Sequence, residues 1–197
     1  TKGIPERMMS FEYFLRKYPR WITKVSLVQV CSPSRTRVRE YREQKEVVDS
    51  LVGRINGEYA EHDWHPIRYL YRTYEQSELA HFYRNADVGL VTPLRDGMNL
   101  VAIEYVASQH PENPGGLVLS KYAGVAEYLK EAIQVNPYLP ESMAGALDRA
   151  LTMPLAERRY RHQAMMKFIN ENTCQRWAHQ FISSLISTHK DISRTPA

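Results

Sequence analysis

Two carboxylates, Asp96 and Glu104, stand seven residues apart around Gly97, directly after the short apolar run from Val88 to Val91. Gly97 allows a backbone to come close to a ligand. The residues after it, Met98 to Val101, open a helix, and the unpaired amides and positive dipole end of a helix start favour phosphate. At the mouth of such a turn, Asp96 can accept hydrogen bonds from sugar hydroxyls. Glu104, on the second helical turn, can take the paired hydroxyls of a ribose, as acidic residues do in dinucleotide-binding folds. Each acid alone also has a plainer role, Asp96 as a helix cap and Glu104 as a solvent-facing side chain. The whole arrangement behind a buried strand points to a ligand that carries both phosphate and sugar.

Other potentially reactive residues carry less. His62 and His65 are three apart with no further Cys or His beside them, so they read as surface histidines and not as metal ligands. Cys31 and Cys174 are the only cysteines and lie far apart, which suits a reducing compartment and excludes a cysteine-based zinc module. The net charge is +4, and the densest basic stretch, Arg35 to Lys45, is interleaved with Glu40 and Glu43 like a solvated helix face. Nucleic-acid binding would need a basic stripe with stacking aromatics, and none is present. A small phosphorylated ligand suits this modest excess better. No run approaches the roughly 18 apolar residues of a membrane span, and no signal sequence opens the chain, so a cytoplasmic protein is expected. The start at Thr1-Lys2-Gly3-Ile4-Pro5 reads as a cut inside a functional loop, and a fragment is expected.

The elements that must position these residues alternate. The spacing of Met8, Phe11, Leu15 and Tyr18 predicts a helix over Ile4 to Tyr18, with Pro5 suited to its first turn. Strands are predicted at Val25–Val30, Ile67–Tyr71, Val88–Val91, Gly116–Leu119 and Ile133–Val135. Helices are predicted at Val38–Tyr59, at Glu78–Asn85 with Leu79, Phe82 and Tyr83 inward, and from Asn99 to about Gln109. Five strand–helix alternations argue for an α/β fold with a parallel sheet covered on both faces, its ligands beyond the carboxyl ends of the strands. Helices follow at Glu141–Thr152, Leu155–Asn170 and Thr173–Ser187. The domain reading is a nucleotide-sugar-binding domain over 1–152, C-terminal helices over 153–187, and a tail over 188–197. Trp177, Phe181 and Leu185 form an apolar stripe, to be packed on this domain's own sheet or on a partner domain.

The run from Asp87 to Ala102 (DVGLVTPLRDGMNLVA) resembles the trehalose-6-phosphate synthase family of retaining GT-B glycosyltransferases. So do Thr1 to Arg7, Gly53 to Gly57 and Asp148 to Met153. The resemblance implies a Rossmann-like domain, the C-terminal half of a GT-B fold, whose N-terminal domain is missing. It implies transfer of glucose from UDP-glucose to glucose 6-phosphate with retention, giving α,α-trehalose 6-phosphate, with no cofactor and no obligatory metal. Lys2 and Asp96 would be the catalytic pair, Lys2 on the donor diphosphate. Asp96 and the amides of Gly97, Met98 and Asn99 would hold the glucosyl hydroxyls. Leu100 and Val101 would offer backbone donors to the diphosphate, and Glu104 would bind the ribose. Val30 and Tyr74 would hold the uracil, and Arg35 the acceptor phosphate. The arginine expected to pair with Lys2 precedes Thr1 in the family and is absent. Ile103 stands where the family often has lysine, on a face expected to be exposed. A homo-oligomer is compatible with the resemblance. A non-catalytic nucleotide-sugar sensor, or an epimerase of the same two-domain architecture, would keep the same donor pocket.

Overall fold

In the computed structural model, residues 1–33 and 39–192 are described. Helix α1 (Ile4–Lys17) opens with Pro5 in its first turn and buries Met8, Phe11, Phe14 and Leu15. Strand β1 (Leu27–Val30), helix α2 (Arg39–Tyr59), strand β2 (Ile67–Leu70) and helix α3 (Gln76–Asn85) follow. Next come β3 (Val88–Val91), α4 (Leu100–Ser108), β4 (Gly116–Ser120) and β5 (Ile133–Val135). Three helices end the chain: α5 (Pro140–Thr152), α6 (Leu155–Glu171) and α7 (Cys174–Ile192).

Every ladder is parallel, as the strand–helix alternation requires. Among the described residues the strands fall into two ladders, β1-β2 and β3-β4-β5. Side chains join them: Leu27 of β1, Ile67 of β2, and Val88 and Leu90 of β3 pack into one cluster with α1 and with Ala144 and Leu147 of α5. Strand β4 is buried along its whole length. Its alternate residues face opposite ways, Val118 onto Met143, Ala146 and Ala150 of α5, and Leu117 and Leu119 onto Ala102, Tyr105 and Val106 of α4. Helices therefore cover both faces, and the expected α/β architecture is present.

Element ends differ from expectation where the cue is a side-chain hydrogen bond. Helix α3 begins at Gln76, ahead of Glu78, because Glu75 and Glu78 form a capping box, the Glu75 amide donating to Glu78 Oε2 at 2.9 Å. Leu79, Phe82 and Tyr83 are half-buried on it. Helix α7 continues past Ser187 to Ile192, where a tail was expected from residue 188. Its apolar stripe does not pack on the sheet: Trp177, Phe181 and Leu185 are 66%, 57% and 61% exposed. Trp177 and Phe181 stack on each other at 5.4 Å. His62 and His65 are exposed, and both cysteines are free thiols. No helix among the described residues is long and apolar enough to cross a membrane.

Helix α6 docks on α4 through Met165, buried with Val106, and through His162, whose Nε2 lies 3.1 Å from the Val106 carbonyl. Burial lowers the His162 pKa below its ordinary 6.5 and the carbonyl contact offsets this only in part. The unfolded chain then takes up this proton before the folded one does. The associated stability is whole above the ordinary value and declines as pH falls through the folded pKa. We expect the urea midpoint to drop between pH 7 and pH 5, and His162→Gln to flatten that drop. Chemical unfolding at the two pH values measures it.

Candidate functional site

The segment after β3, from Thr92 to Asn99, is held from two sides by backbone. On one side is the turn after β4. The Asp96 amide donates to the Tyr122 carbonyl at 3.2 Å, and the Gly124 amide donates back to the Asp96 carbonyl at 3.0 Å. The Val125 amide donates to the Met98 carbonyl, also at 3.0 Å. Gly124 lies so near that a Cβ there would meet the Gly97 carbonyl oxygen at 2.0 Å. On the other side is the chain start, where the Leu94 amide donates to the Thr1 carbonyl at 2.8 Å. Gly3 takes φ 67°, and a Cβ on it would sit 2.3 Å from the Thr92 carbonyl oxygen. The anchored segment lies beyond the carboxyl ends of β3 and β4, where parallel sheets present their ligand sites.

Asp96 is the hub. Its Oδ2 accepts from Lys2 Nζ at 2.6 Å and from Asn99 Nδ2 at 3.1 Å, and its Oδ1 accepts from the Met98 amide at 3.4 Å. Burial alone would raise this carboxyl. The Lys2 bond, the Met98 amide, the Lys2 charge and the Asn99 amide together outweigh it and hold the pKa below 3.8. The side chain is thus both the local turn-former and the partner of a cation 94 positions away. Asn99 takes the left-handed conformation at φ 73°, a setting Asn tolerates better than most residues. Its Oδ1 is buried without a hydrogen-bond partner. No side-chain cap hydrogen bond closes the start of α4, where Met98, Leu100 and Val101 are exposed. Between this segment and the turn after β4 lies a cleft of about 280 Å³, lined by Arg95, Asp96, Gly97, Lys121, Tyr122 and Glu127.

Glu104 is half-buried against α3, where Oε2 accepts from the Tyr83 hydroxyl at 3.3 Å. Burial, and then the Glu104 charge, push the Tyr83 hydroxyl up to about 12. Neither acid is a free solvent-facing group. Ile103 is a correction to the expected exposed position: it is half-buried and packs on the cluster around α4. Val30 ends β1 half-buried, with its carbonyl accepting from Gln29 Nε2 at 2.9 Å. Tyr74 meets Phe82 edge-on at 5.1 Å and carries the Arg72 guanidinium 4.2 Å from its ring centre, contacts that lie with α3 and not with the Asp96 segment. Arg35 lies outside the described residues.

Lys2, Asp96, Asn99 and the α4 start therefore meet directly. Val30 connects to them through a residue that sequence reasoning passed over, Arg7. Its Nη1 donates to Gln29 Oε1 at 2.8 Å, its Nε to Thr92 Oγ1 at 2.9 Å, and its Nη2 to the Lys2 carbonyl at 3.2 Å. One cue was available: a cation in the first helical turn opposes the helix dipole.

The chain matches the family model described as glycosyltransferase family 20 over residues 1–187. It is 47% identical over 196 residues to a trehalose-6-phosphate synthase of Klebsiella pneumoniae, covering 98% of this chain and 41% of that protein. A Burkholderia xenovorans α,α-trehalose-phosphate synthase (UDP-forming), solved in complex with glucose-6-phosphate, superposes with a TM-score of 0.92 at 49% identity, over 94% of this chain and 41% of that one. An E. coli structure bound with UDP-2-fluoro glucose gives 0.93 at 48% identity, over the same 94% and 41%. The chain thus spans about 41% of the length of these relatives.

The two clamps on Asp96 differ in what they contribute. The Lys2 side chain is 64% exposed, so its pair with Asp96 adds only about 0–1 kcal/mol to stability. Gly124 has no such latitude, since a methyl there strikes backbone, an overpacking that costs about 1–3 kcal/mol. We expect Asp96→Asn to lower the urea midpoint at pH 7 by less than Gly124→Ala does.

Proposed function

The chain belongs to glycosyltransferase family 20, and we propose that it forms the nucleotide-sugar half of a retaining glucosyltransferase that passes glucose from UDP-glucose to glucose 6-phosphate. The observation that carries this reading is the meeting of Lys2, Asp96 and the uncapped start of α4 at the carboxyl ends of β3 and β4. A cation, a hydroxyl-binding carboxylate and the amides that open a helix are the complement of a sugar diphosphate.

In this reading Lys2 exchanges Asp96 for the donor diphosphate, and the released carboxylate oxygen takes a glucosyl hydroxyl. The Leu100 and Val101 amides meet the diphosphate beside Lys2. Negative charge grows on the departing diphosphate as its bond to the anomeric carbon breaks. Each preorganised donor aimed at that charge contributes about 3 kcal/mol of transition-state stabilisation. Asp96, tied to Met98 and Asn99, is built as a hydroxyl ligand more than as a free nucleophile. The acceptor oxygen then bonds the anomeric carbon from the face the diphosphate leaves, and its proton passes to a diphosphate oxygen. Glu104, with Oε2 on Tyr83, keeps Oε1 for a ribose hydroxyl. Val30 and Tyr74 would flank the base, and Arg35 would take the acceptor phosphate.

The remaining length of the relatives would supply most of the acceptor side, and the α7 stripe of Trp177, Phe181 and Leu185 is the face we assign to contact with it.

Calorimetric titration with UDP-glucose tests the donor site. We expect binding by the 197-residue chain, and a loss of roughly 10- to 100-fold in affinity for Glu104→Ala, the size of a lost charged hydrogen bond. Unchanged affinity would remove the ribose role. With glucose 6-phosphate added, little or no trehalose 6-phosphate should form; abundant product would show that the chain needs no further domain.

A further inference from the structure

Arg7 carries a charge whose direct hydrogen-bond partners are all uncharged, with the neighbouring Glu6 acting on it only through space. It sits in the first turn of α1, half-buried, with no ion pair among the described residues. Burial lowers its pKa from the ordinary guanidinium range to about 10, so it remains charged at neutral pH. All three of its acceptors are neutral oxygens, and each belongs to a different edge of the site: Lys2 on the chain start, Gln29 on β1, Thr92 at the end of β3. Thr92 is fully buried and Gln29 is 7% exposed.

We propose that Arg7 is a positioning residue for the diphosphate grip, its guanidinium fork fixing the Lys2 backbone against the root of the Asp96 segment. The inference rests on the donor-site reading above. The Lys2 side chain is largely exposed, with Asp96 its hydrogen-bond partner, so its aim depends on where its own backbone is held. That backbone is tied at three places: the Leu94 amide to the Thr1 carbonyl, the Arg7 side chain to the Lys2 carbonyl, and the Arg7 amide to the Gly3 carbonyl. The Arg7 guanidinium makes the only one of the three that depends on a side chain. The same fork holds Thr92, five residues before Gly97, so cation and amide row are referred to one rigid point. A planar fork fixes three directions at once, which a lysine ammonium on a flexible stem does not. Gln29 extends the frame to β1, since its amide nitrogen donates to the Val30 carbonyl and contacts Cys31 Sγ at 3.6 Å. Such a frame aims groups at a ligand before the ligand arrives, which is where positioning contributes most.

The test compares UDP with UMP by calorimetry in the wild-type chain, Arg7→Met, Arg7→Lys and Thr92→Val, with thermal unfolding measured alongside. Arg7→Met should weaken UDP about 10-fold and UMP far less, because the lost aim concerns the second phosphate; Arg7→Lys should recover part of this, and Thr92→Val should show a smaller loss of the same kind. In a Lys2→Met background Arg7→Met should add under about 2-fold, the non-additivity of residues acting through one another. If Arg7→Met weakens UDP and UMP equally, or costs as much without Lys2 as with it, Arg7 is a structural residue and the inference falls. Should Arg7→Met not fold, Arg7→Lys and Thr92→Val carry the same comparison. A wild-type chain that binds neither nucleotide overturns the donor reading itself, a different failure from a wild type that binds while the variants keep its UDP-over-UMP preference.

Discussion

The backbone of Asp96 has both its polar groups committed to the turn after β4, and most of the site depends on that constraint. Loops in small domains usually leave such groups to water. Here the loop behaves as a short extra strand, bridged in parallel to Ala123, so its carboxylate, the αL residue Asn99 and the first amides of α4 keep fixed relations. The rigidity comes from main-chain bonds and close glycine contacts, which leaves the side chains available for a ligand. Asn99 shows the consequence: it accepts an uncommon conformation and a buried, unpartnered oxygen at the opening of the helix. Local strain of this kind persists where surrounding structure over-determines it, and it collects at binding sites.

Electrostatics follows the same plan. Lys2 and Arg7 bring two cations to a segment that carries Arg95 beside Asp96, Asp96 pairs with Lys2, and the uncapped α4 adds partial positive charge. The imbalance suits an anion carrying more than one charge. Stability gains little from the exposed Lys2 pair, which fits the proposed reading in which Lys2 exchanges Asp96 for a ligand.

How much of this could be read from residues alone depended on how local the cue was. Strands β3 and β5 were legible to the residue, because short apolar runs bounded by turn formers leave few alternatives. The order around Gly97 was legible because the spacing of the acidic residues itself encodes strand, turn and helix. Helix α3 started early because a Glu–Glu capping box is a weaker sequence cue than one led by Ser or Thr. Ile103 was misplaced because a helix tucked between a sheet and two neighbours buries more than one stripe. Arg7 was passed over because two of its partners lie 22 and 85 positions away, and its one cue, a cation set against the helix dipole, does not say what it meets. The direction of the α7 stripe was left open by its periodicity, which says that a face is apolar and not what it faces.

That stripe has a practical side. Trp177 and Phe181 lie stacked in the open, with Leu185 one turn on and Ile182 and Ile186 beside them. A contiguous greasy ridge on a free chain invites another ridge like it. Concentrated preparations of the isolated polypeptide should therefore cluster reversibly through α7. Mild detergent or dilution, more than added salt, would disperse them, since the attraction is solvent-driven and involves no charge.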